Sequence, residues 1–498
     1  MRLHMVRAFA ALWLAALWLA GGTAAAAPPN IVFILADDMD YAALQWMPQT
    51  RALVGDGGAT FTRSYAEVAL CCPARATLLT GLYAHTHRVL TVDNANGGFR
   101  QFRKRGHEKQ TLAVWLRNAG YETALVGKYL NGFPDDQPET YVPPGWSWWV
   151  AAVQRGETPY RQFDYKLNEN GKLVFYGKAA TAYGTDVYAR KAVEFIQAQA
   201  KAGKPFFLFL SLFSPHAPAT AAPRHKAMFA DAVVPRTPSF AEADISDKPS
   251  FLRNSILDAA AVAALDADYG QRLRSLQAVD EAVRKVHDAL KAAGRLDDTY
   301  VVFASDNGYH DGQHMQPAGK QLPYEEDIRQ PLLIRGPGIP AGRIVDQLVG
   351  NADLAPSIAA LAGVPLPVPV DGRSFVPLLA APLPTVPPPA VPPPTDPSAV
   401  PWRQALPLAR WRIPNATSDP WPEFTGVRTA AYTWIEWANG ERELYDDNAD
   451  PYQLSNLAAD PALEATRMQL ARLNADLKAC RGPVCKAVED RAPVQLAR

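Results

Sequence analysis

Two acidic pairs stand where buried strands would end. Asn30–Asp38 reads NIVFILADD, an apolar run rich in β-branched residues that closes in Asp37-Asp38. Tyr300–Ala304 is a second such run, followed by Ser305-Asp306-Asn307-Gly308. Runs of this kind suit strands buried on both faces. Adjacent carboxylates repel each other, and a bound divalent cation relieves them economically, because carboxylate and amide oxygens are the ligands a hard cation takes. The other reading is a solvated acidic strand end at Asp37-Asp38 and an ion-free Asx-type turn at Asp306-Asn307. A third stretch, Cys71-Cys72-Pro73-Ala74-Arg75, sets a thiol four residues ahead of a permanently charged guanidinium. Taken alone, it is equally a pair of buried cysteines opening a helix with Pro73 in its first turn. Lys128 follows Gly127, Lys320 follows Gly319, and His216 lies between Pro215 and Pro218, just past the apolar run Phe206–Phe213. Side chains of these types balance charge on an anion or move a proton; each by itself is also an ordinary surface lysine or a structural loop histidine.

The order of these stretches carries more than any one of them. Cys71-x-Pro73-x-Arg75, running on into Thr77-Leu78-Leu79-Thr80-Gly81, resembles the signature of the type I, formylglycine-dependent sulfatases. Gly127-Lys128-Tyr129-Leu130-Asn131 and Asp306-Asn307-Gly308-Tyr309-His310 resemble the N-acetylglucosamine-6-sulfatase and extracellular sulfatase branch. The resemblance implies that Cys71, not Cys72, is oxidised to formylglycine by a formylglycine-generating enzyme and that one oxygen of its hydrate attacks sulfur. A thiol would form a thiosulfate that is awkward to release, whereas a diol can collapse to the aldehyde. It further implies that Asp37, Asp38, Asp306, Asn307 and the modified residue 71 bind one divalent cation, usually calcium. By the same resemblance Arg75 supports the nucleophile, Lys128 and Lys320 hold the sulfate, and His216 protonates the leaving oxygen. Lys320 sits in Gly319-Lys320-Gln-Leu-Pro-Tyr324-Glu325, which matches the family's G-K-x-x-x-Y-E. The sequence departs from the family's G-K-x-H at Leu130, where the histidine that helps release sulfate would stand. His310 is expected to do that work, directly or through a water. The implied activity is hydrolysis of a carbohydrate 6-O-sulfate, such as 6-sulfated N-acetylglucosamine. Two alternatives are a phosphonate monoester or phosphodiester hydrolase on the same scaffold, and an inactive protein that binds sulfated glycans.

The elements that must position these residues alternate as strands and helices. The implied fold is α/β, an alkaline-phosphatase-like α/β/α sandwich with a mixed, mostly parallel sheet and a smaller C-terminal α+β subdomain. Its strand-end acids agree with the general placement of ligands outside the carboxyl ends of strands. Thr111–Gly120 reads as a helix feeding a strand that ends at Gly127-Lys128. Leu273, Leu276, Val279, Val283, Val286 and Leu290 recur at helical spacing and read as core. Gly145-Trp-Ser-Trp-Trp149 is read as packing rather than a sugar platform; His85 and His87 either line the cleft or serve loop structure. From Ala430, the alternation in AAYTWIEW, the turn at Asn439-Gly440 and ERELYD give a β-hairpin, with a closing helix ending near Leu477.

Residues 1–27 read as a secretory signal, with basic Arg2 and Arg7, an apolar core and small residues before Pro28-Pro29; the alternative is an uncleaved anchor, for which the apolar run is short. The division follows as signal 1–27, catalytic domain 28–363, Pro-rich connector 364–401 with PPPAVPPP, and C-terminal subdomain 402–498. A secreted or periplasmic protein without a stable membrane span is expected. Of the four cysteines, Cys480 and Cys485 bracket a turn and are expected to pair in an oxidising compartment. With 50 basic against 50 acidic residues, nothing in the global charge argues for nucleic acid as a partner. The expected partners are a sulfated carbohydrate or small sulfate ester and, during maturation, the formylglycine-generating enzyme.

Overall fold

The computed structural model describes residues 27–93, 95–154, 159–380, 402–412, 419 and 421–491. The apolar core of the expected signal and the PPPAVPPP tract lie outside the described residues. Ten strands form one sheet in the order β11-β2-β10-β9-β1-β8-β4-β5-β6-β7. These are β1 (Asn30–Asp37), β2 (Ala59–Phe61), β4 (Glu122–Gly127), β5 (Trp148–Ala152), β6 (Tyr165–Glu169), β7 (Lys172–Tyr176), β8 (Phe206–Pro215), β9 (Thr299–Ser305), β10 (Leu332–Arg335) and β11 (Arg343–Val345); β3 (Ser64–Tyr65) pairs separately with β12 (Val349–Gly350). The central strands β9, β1, β8, β4 and β5 run parallel, and antiparallel pairings flank them on both sides. The sheet is therefore mixed, and parallel where the acidic strand ends lie.

Alternation along β1 explains the three layers. Ile31, Phe33 and Leu35 face α1 (Cys71–Thr80), α2 (Leu112–Asn118) and α5 (Leu354–Leu361); Val32, Ile34 and Ala36 face α3 (Gly184–Ala202) and α4 (Ala259–Ala292). A strand covered on both sides has no polar face, which is why NIVFILA reads as a continuous apolar run. The six apolar residues from Leu273 to Leu290 do line the core side of α4. That helix starts earlier than their spacing indicates, at Asp258, whose side chain accepts the Ala261 amide at 2.8 Å as an N-cap. Its first turns are alanine-rich and mostly exposed, so helix propensity and the cap, not an apolar stripe, mark them.

A second, antiparallel sheet holds β13 (Ala405–Arg410), β14 (Phe424–Thr429), β15 (Tyr432–Trp437) and β16 (Arg442–Asp446), crossed by α6 (Glu464–Ala479) and followed by α7 (Pro483–Glu489). The expected hairpin is β15–β16. Cys480 and Cys485 form a disulfide between α6 and α7. Trp149 is fully buried and packs edge-on against Tyr129 and Phe133, so that cluster is core. Residues 364–380 fold back onto the main body, burying Val370, Phe375, Leu378 and Leu379. No helix among the described residues is long and apolar enough to cross a membrane.

Candidate active site

Register brings the strand ends to one place. Asp37 pairs with Pro215 of β8, Ala36 with Ser305 of β9, and Gly127 with Ser211. The residues that follow these positions, Asp38, His216, Asp306 and Lys128, thus emerge side by side. Asp38 leaves β1 with φ 64°, a left-handed conformation uncommon outside glycine, held by its amide donating to Asp306 Oδ1 at 3.1 Å. Gly127 has φ 112°, and a Cβ there would lie 1.9 Å from the Ser211 carbonyl oxygen, so only glycine lets the chain turn Lys128 inward. Above these ends sits Cys71, the first residue of α1.

Each carboxylate of the cluster meets a cation. Lys128 Nζ donates to Asp37 Oδ2 at 2.5 Å, Arg75 Nε to Asp306 Oδ2 at 2.8 Å, and Lys320 Nζ to Asp38 Oδ1. Lys320 Nζ also lies 2.7 Å from Cys71 Sγ. Arg75, only 1% exposed, additionally donates to Ser211 Oγ at 2.7 Å and lies 3.7 Å from Asp37 Oδ1. Burial alone would raise Asp37, but Lys128 and then Arg75 hold it well below the usual carboxylate range. Asp306 goes the other way: burial and the Asp37 charge outweigh Arg75 and push it up to about 7. Burial, reinforced by Asp37, drives the Cys71 thiol well above its ordinary value, so as a thiol it is a poor nucleophile.

Two buried oxygens of this cluster, Asp37 Oδ1 and Asn307 Oδ1, have no hydrogen-bond partner among the described residues. The Asn307 amide nitrogen donates to Asp38 Oδ1 and to the Gly308 carbonyl, both at 2.8 Å, which settles which end of the amide is oxygen. Ligand atoms of Asp37, Cys71 and Asp306 lie within 4.8 Å of one another, as do those of Asp38, Cys71 and His216. Orphaned acceptors among clustered carboxylates are the donor set a hard divalent cation takes, so the residues present fit the ion that the sequence pattern implies.

His216 Nε2 lies 3.6 Å from Asp38 Oδ2, and its Nδ1 is 2.7 Å from the Ala217 carbonyl, which accepts from it. Burial lowers its pKa against the pull of Asp38 and Asp37. Its side chain is 25% exposed and that of Lys320 12%, whereas Asp37, Arg75 and Lys128 are sealed, so the centre opens to solvent on the His216 and Lys320 side. His310 stands behind the Lys320 loop. Its Nδ1 meets Asp327 Oδ1 at 2.6 Å, its backbone pairs with Gly319, and its Nε2 is buried without a partner among the described residues. Burial would lower His310, but Asp327 outweighs it and the net shift is upward. His314 is held by Glu242 at 2.6 Å. His85 bonds the Cys480 carbonyl and His87 bonds Thr77, so both serve loop structure.

Three contributors carry no local sequence signal. Tyr160 packs against His216 with ring centroids 4.5 Å apart and under Lys128 Nζ at 5.0 Å. Ser211 anchors Arg75 from mid-strand. Arg272 of α4 donates to the Asp38 carbonyl at 2.8 Å and stacks on Tyr309. Only register and packing reveal them.

A sulfatase family model matches residues 29–364. The chain is 40% identical over 357 residues to an extracellular sulfatase SULF-1 homolog of Drosophila melanogaster, covering 70% of this chain and 31% of that protein. It thus spans less than a third of that relative's length. It is 34% identical over 500 residues to an N-acetylglucosamine-6-sulfatase of Capra hircus, covering 92% of this chain and 85% of that protein. Among solved structures, BT4656 in complex with its substrate D-glucosamine-2-N,6-O-disulfate superposes with a TM-score of 0.76 at 24% identity, covering 94% of this chain and 99% of that one. At that identity the likeness is one of fold.

Proposed function

The chain belongs to the sulfatase family, and we propose that it is an exported sulfuric ester hydrolase acting on a carbohydrate 6-O-sulfate, such as 6-sulfated N-acetylglucosamine in a glycan. The observation that carries this reading is the gathering of Asp37, Asp38, Asp306 and Asn307 around Cys71 at parallel strand ends, with two buried oxygens left unpaired. Named relatives support the carbohydrate and the extracellular setting.

Formylglycine at position 71 would supply a hydrated-aldehyde oxygen as nucleophile, and a divalent cation held by Asp37, Asp38, Asp306 and Asn307 would supply fixed positive charge beside it. The remaining work falls to side chains in place. Asp37, Asp38 and Asp306 are matched in number by Arg75, Lys128 and Lys320. A divalent cation added to that balanced set leaves the centre positive, which suits an anionic sulfate ester. Lys320, beside Cys71 Sγ, and Lys128 across the cluster hold the sulfate oxygens. Arg75 stays with Asp37, Asp306 and Ser211 and keeps the acids in position. His216 donates its Nδ1 proton to the Ala217 carbonyl, leaving Nε2 to carry the proton that goes to the departing alcohol. His310, braced by Asp327, takes the proton whose loss expels sulfate, directly or across a water.

Mass spectrometry of the tryptic peptide Ser64–Arg75 tests the nucleophile, using protein from its own host or made with a formylglycine-generating enzyme. An aldehyde at residue 71 and turnover of N-acetylglucosamine 6-sulfate are the expected results. An unmodified Cys71 in host-made protein would remove the nucleophile and leave the glycan-binding alternative. Preference for an aryl phosphonate over an aryl sulfate would instead make the protein a phosphonate hydrolase.

A further inference from the structure

Beside the reaction centre lies a cavity of about 210 Å³ whose walls include Asp40, Tyr41, Tyr309, Asp311, Glu326 and Tyr452. Arg272 and the chain that runs on from Asp38 stand between it and the centre. Asp40 is two residues beyond Asp38, and Arg272, which donates to the Asp38 carbonyl, stacks on the Tyr309 ring at 3.8 Å. Tyr309, two residues after Asn307, lines the cavity.

Acids outnumber the guanidiniums that meet them around this cavity. Arg272 lies 3.7 Å from Asp311 and 3.9 Å from Asp40, one guanidinium between two carboxylates. Glu325 on the same wall is matched by Arg428 at 2.9 Å and Arg329 at 3.7 Å. Glu326 meets the Ser239 hydroxyl at 3.0 Å and His314 at 4.0 Å, with no arginine or lysine paired to it among the described residues. Asp311 is 5% exposed, and its Oδ1 is buried with no hydrogen-bond partner among the described residues. A buried, unpaired carboxylate oxygen on a cavity wall costs stability unless a donor meets it there. Asp40 Oδ1 already accepts the Ala43 amide at 2.9 Å, so the open acceptor on this wall is Asp311 Oδ1, which takes an N–H or O–H donor.

We propose that this cavity receives the ring of the sulfated sugar and selects against a second anionic substituent, with Asp311 and Asp40 accepting hydrogen bonds from its amine, amide or hydroxyl groups. Tyrosine rings give the ring faces a surface, and carboxylates fix its donors, the usual division of labour in such pockets. The selection is electrostatic: a protonated or acetylated amine is accommodated, whereas an N-sulfate meets two carboxylates with one guanidinium between them. The proposal rests on the reading of the protein as a carbohydrate 6-O-sulfatase.

The test compares kcat/KM for glucosamine 6-sulfate, N-acetylglucosamine 6-sulfate and N-sulfoglucosamine 6-sulfate, with 4-nitrophenyl sulfate alongside, on the formylglycine-bearing enzyme. The expected result is at least about tenfold preference for the amine over the N-sulfate, falling several-fold in Asp311→Asn and in Asp40→Asn. Because the preference is a ratio measured on one preparation, partial misfolding of a variant cancels. Equal turnover of amine and N-sulfate, or a ratio unmoved in both variants, overturns the selectivity while leaving the sulfatase reading intact. Turnover of the aryl sulfate with none of the three sugars overturns the carbohydrate reading and the cavity's role with it.

Discussion

Arg75 is the residue on which the charged cluster hangs. Its Nε holds Asp306, one terminal nitrogen holds Ser211, and the other faces Asp37, three directions that a planar fork can serve and an ammonium cannot. Arg75→Lys keeps the charge and loses the fork, leaving buried carboxylates short of partners. The expected cost is about 3 kcal/mol in denaturant unfolding together with at least a hundredfold loss of kcat/KM; a variant as stable and active as the parent would show that charge alone suffices. His310 raises a separate question, because Leu130 stands where the family places a histidine and is fully buried in the core. With Asp327 fixing Nδ1, the unpaired Nε2 is the group free to act. In His310→Ala the first turnover of an aryl sulfate should remain while later ones slow, giving a burst of released phenol about equal to the enzyme. Steady turnover without a burst, at the parent rate, would remove His310 from the sulfate-release step.

At the scale of elements, function depends on strands delivering side chains to a common height. Gly127→Ala tests this away from the chemistry. The added Cβ meets the Ser211 carbonyl, and β4 must part from β8 or rotate Lys128 out of the cluster. Loss of roughly 3 kcal/mol or more, with KM for sulfate esters rising at least tenfold, is expected; an unperturbed melting temperature would mean the strand end is not held as described. A cation held at the joined ends of β1 and β9 would also stabilise the fold. Chelation should lower the melting temperature by several degrees, and calcium should restore it in proportion to the logarithm of its free concentration; a melting curve indifferent to both would leave the carboxylates to their lysines. These strand ends were legible in the sequence because two-sided burial writes itself as an unbroken apolar run, and Asp37-Asp38 and Asp306-Asn307 break those runs abruptly. Lys128 and Lys320 could be placed only through the motif, since nothing local distinguishes a lysine buried at a strand end from one in water. Tyr160, Ser211 and Arg272 were not legible at all, for their roles come from register and from the angle at which α4 crosses the sheet. The acidic cavity was hidden for the same reason: Asp40, Asp311 and Glu326 come from three segments, each of which reads as solvated loop.

Over the whole molecule, the two sheets are joined by a buried seam of acids and arginines. Arg403, just ahead of β13, meets Asp353 at 2.5 Å and Glu489 of α7 at 3.2 Å; Arg373 meets Glu489 at 2.9 Å, and Tyr83 donates to the same carboxylate. Glu67 lies in this seam and accepts the amides of Asn351 and Ala352, both at 3.1 Å. Burial, with Asp353 adding to it, pushes Glu67 up to about 8 from an ordinary 4.5, and burial raises Glu489 despite Arg403. The sign of the consequence follows from proton counting. Between about 4.5 and 8 the folded protein keeps a proton on Glu67 that the unfolded chain has released, so each step up in pH favours unfolding. The stabilising contribution is whole below the unfolded value and is spent as pH passes the folded one. Glu67→Gln removes that proton equilibrium and leaves an uncharged side chain of the same shape. Unfolding free energy followed from pH 5 to 9 should therefore fall less steeply in the variant than in the parent, by up to about 1.4 kcal/mol per pH unit within the window, with the two curves parallel above it. Comparing slopes rather than absolute stabilities makes the result independent of any hydrogen bond the amide fails to remake. Parallel curves throughout would mean that Glu67 is ionised in the folded state and that the arginines of the seam, not a retained proton, carry its charge.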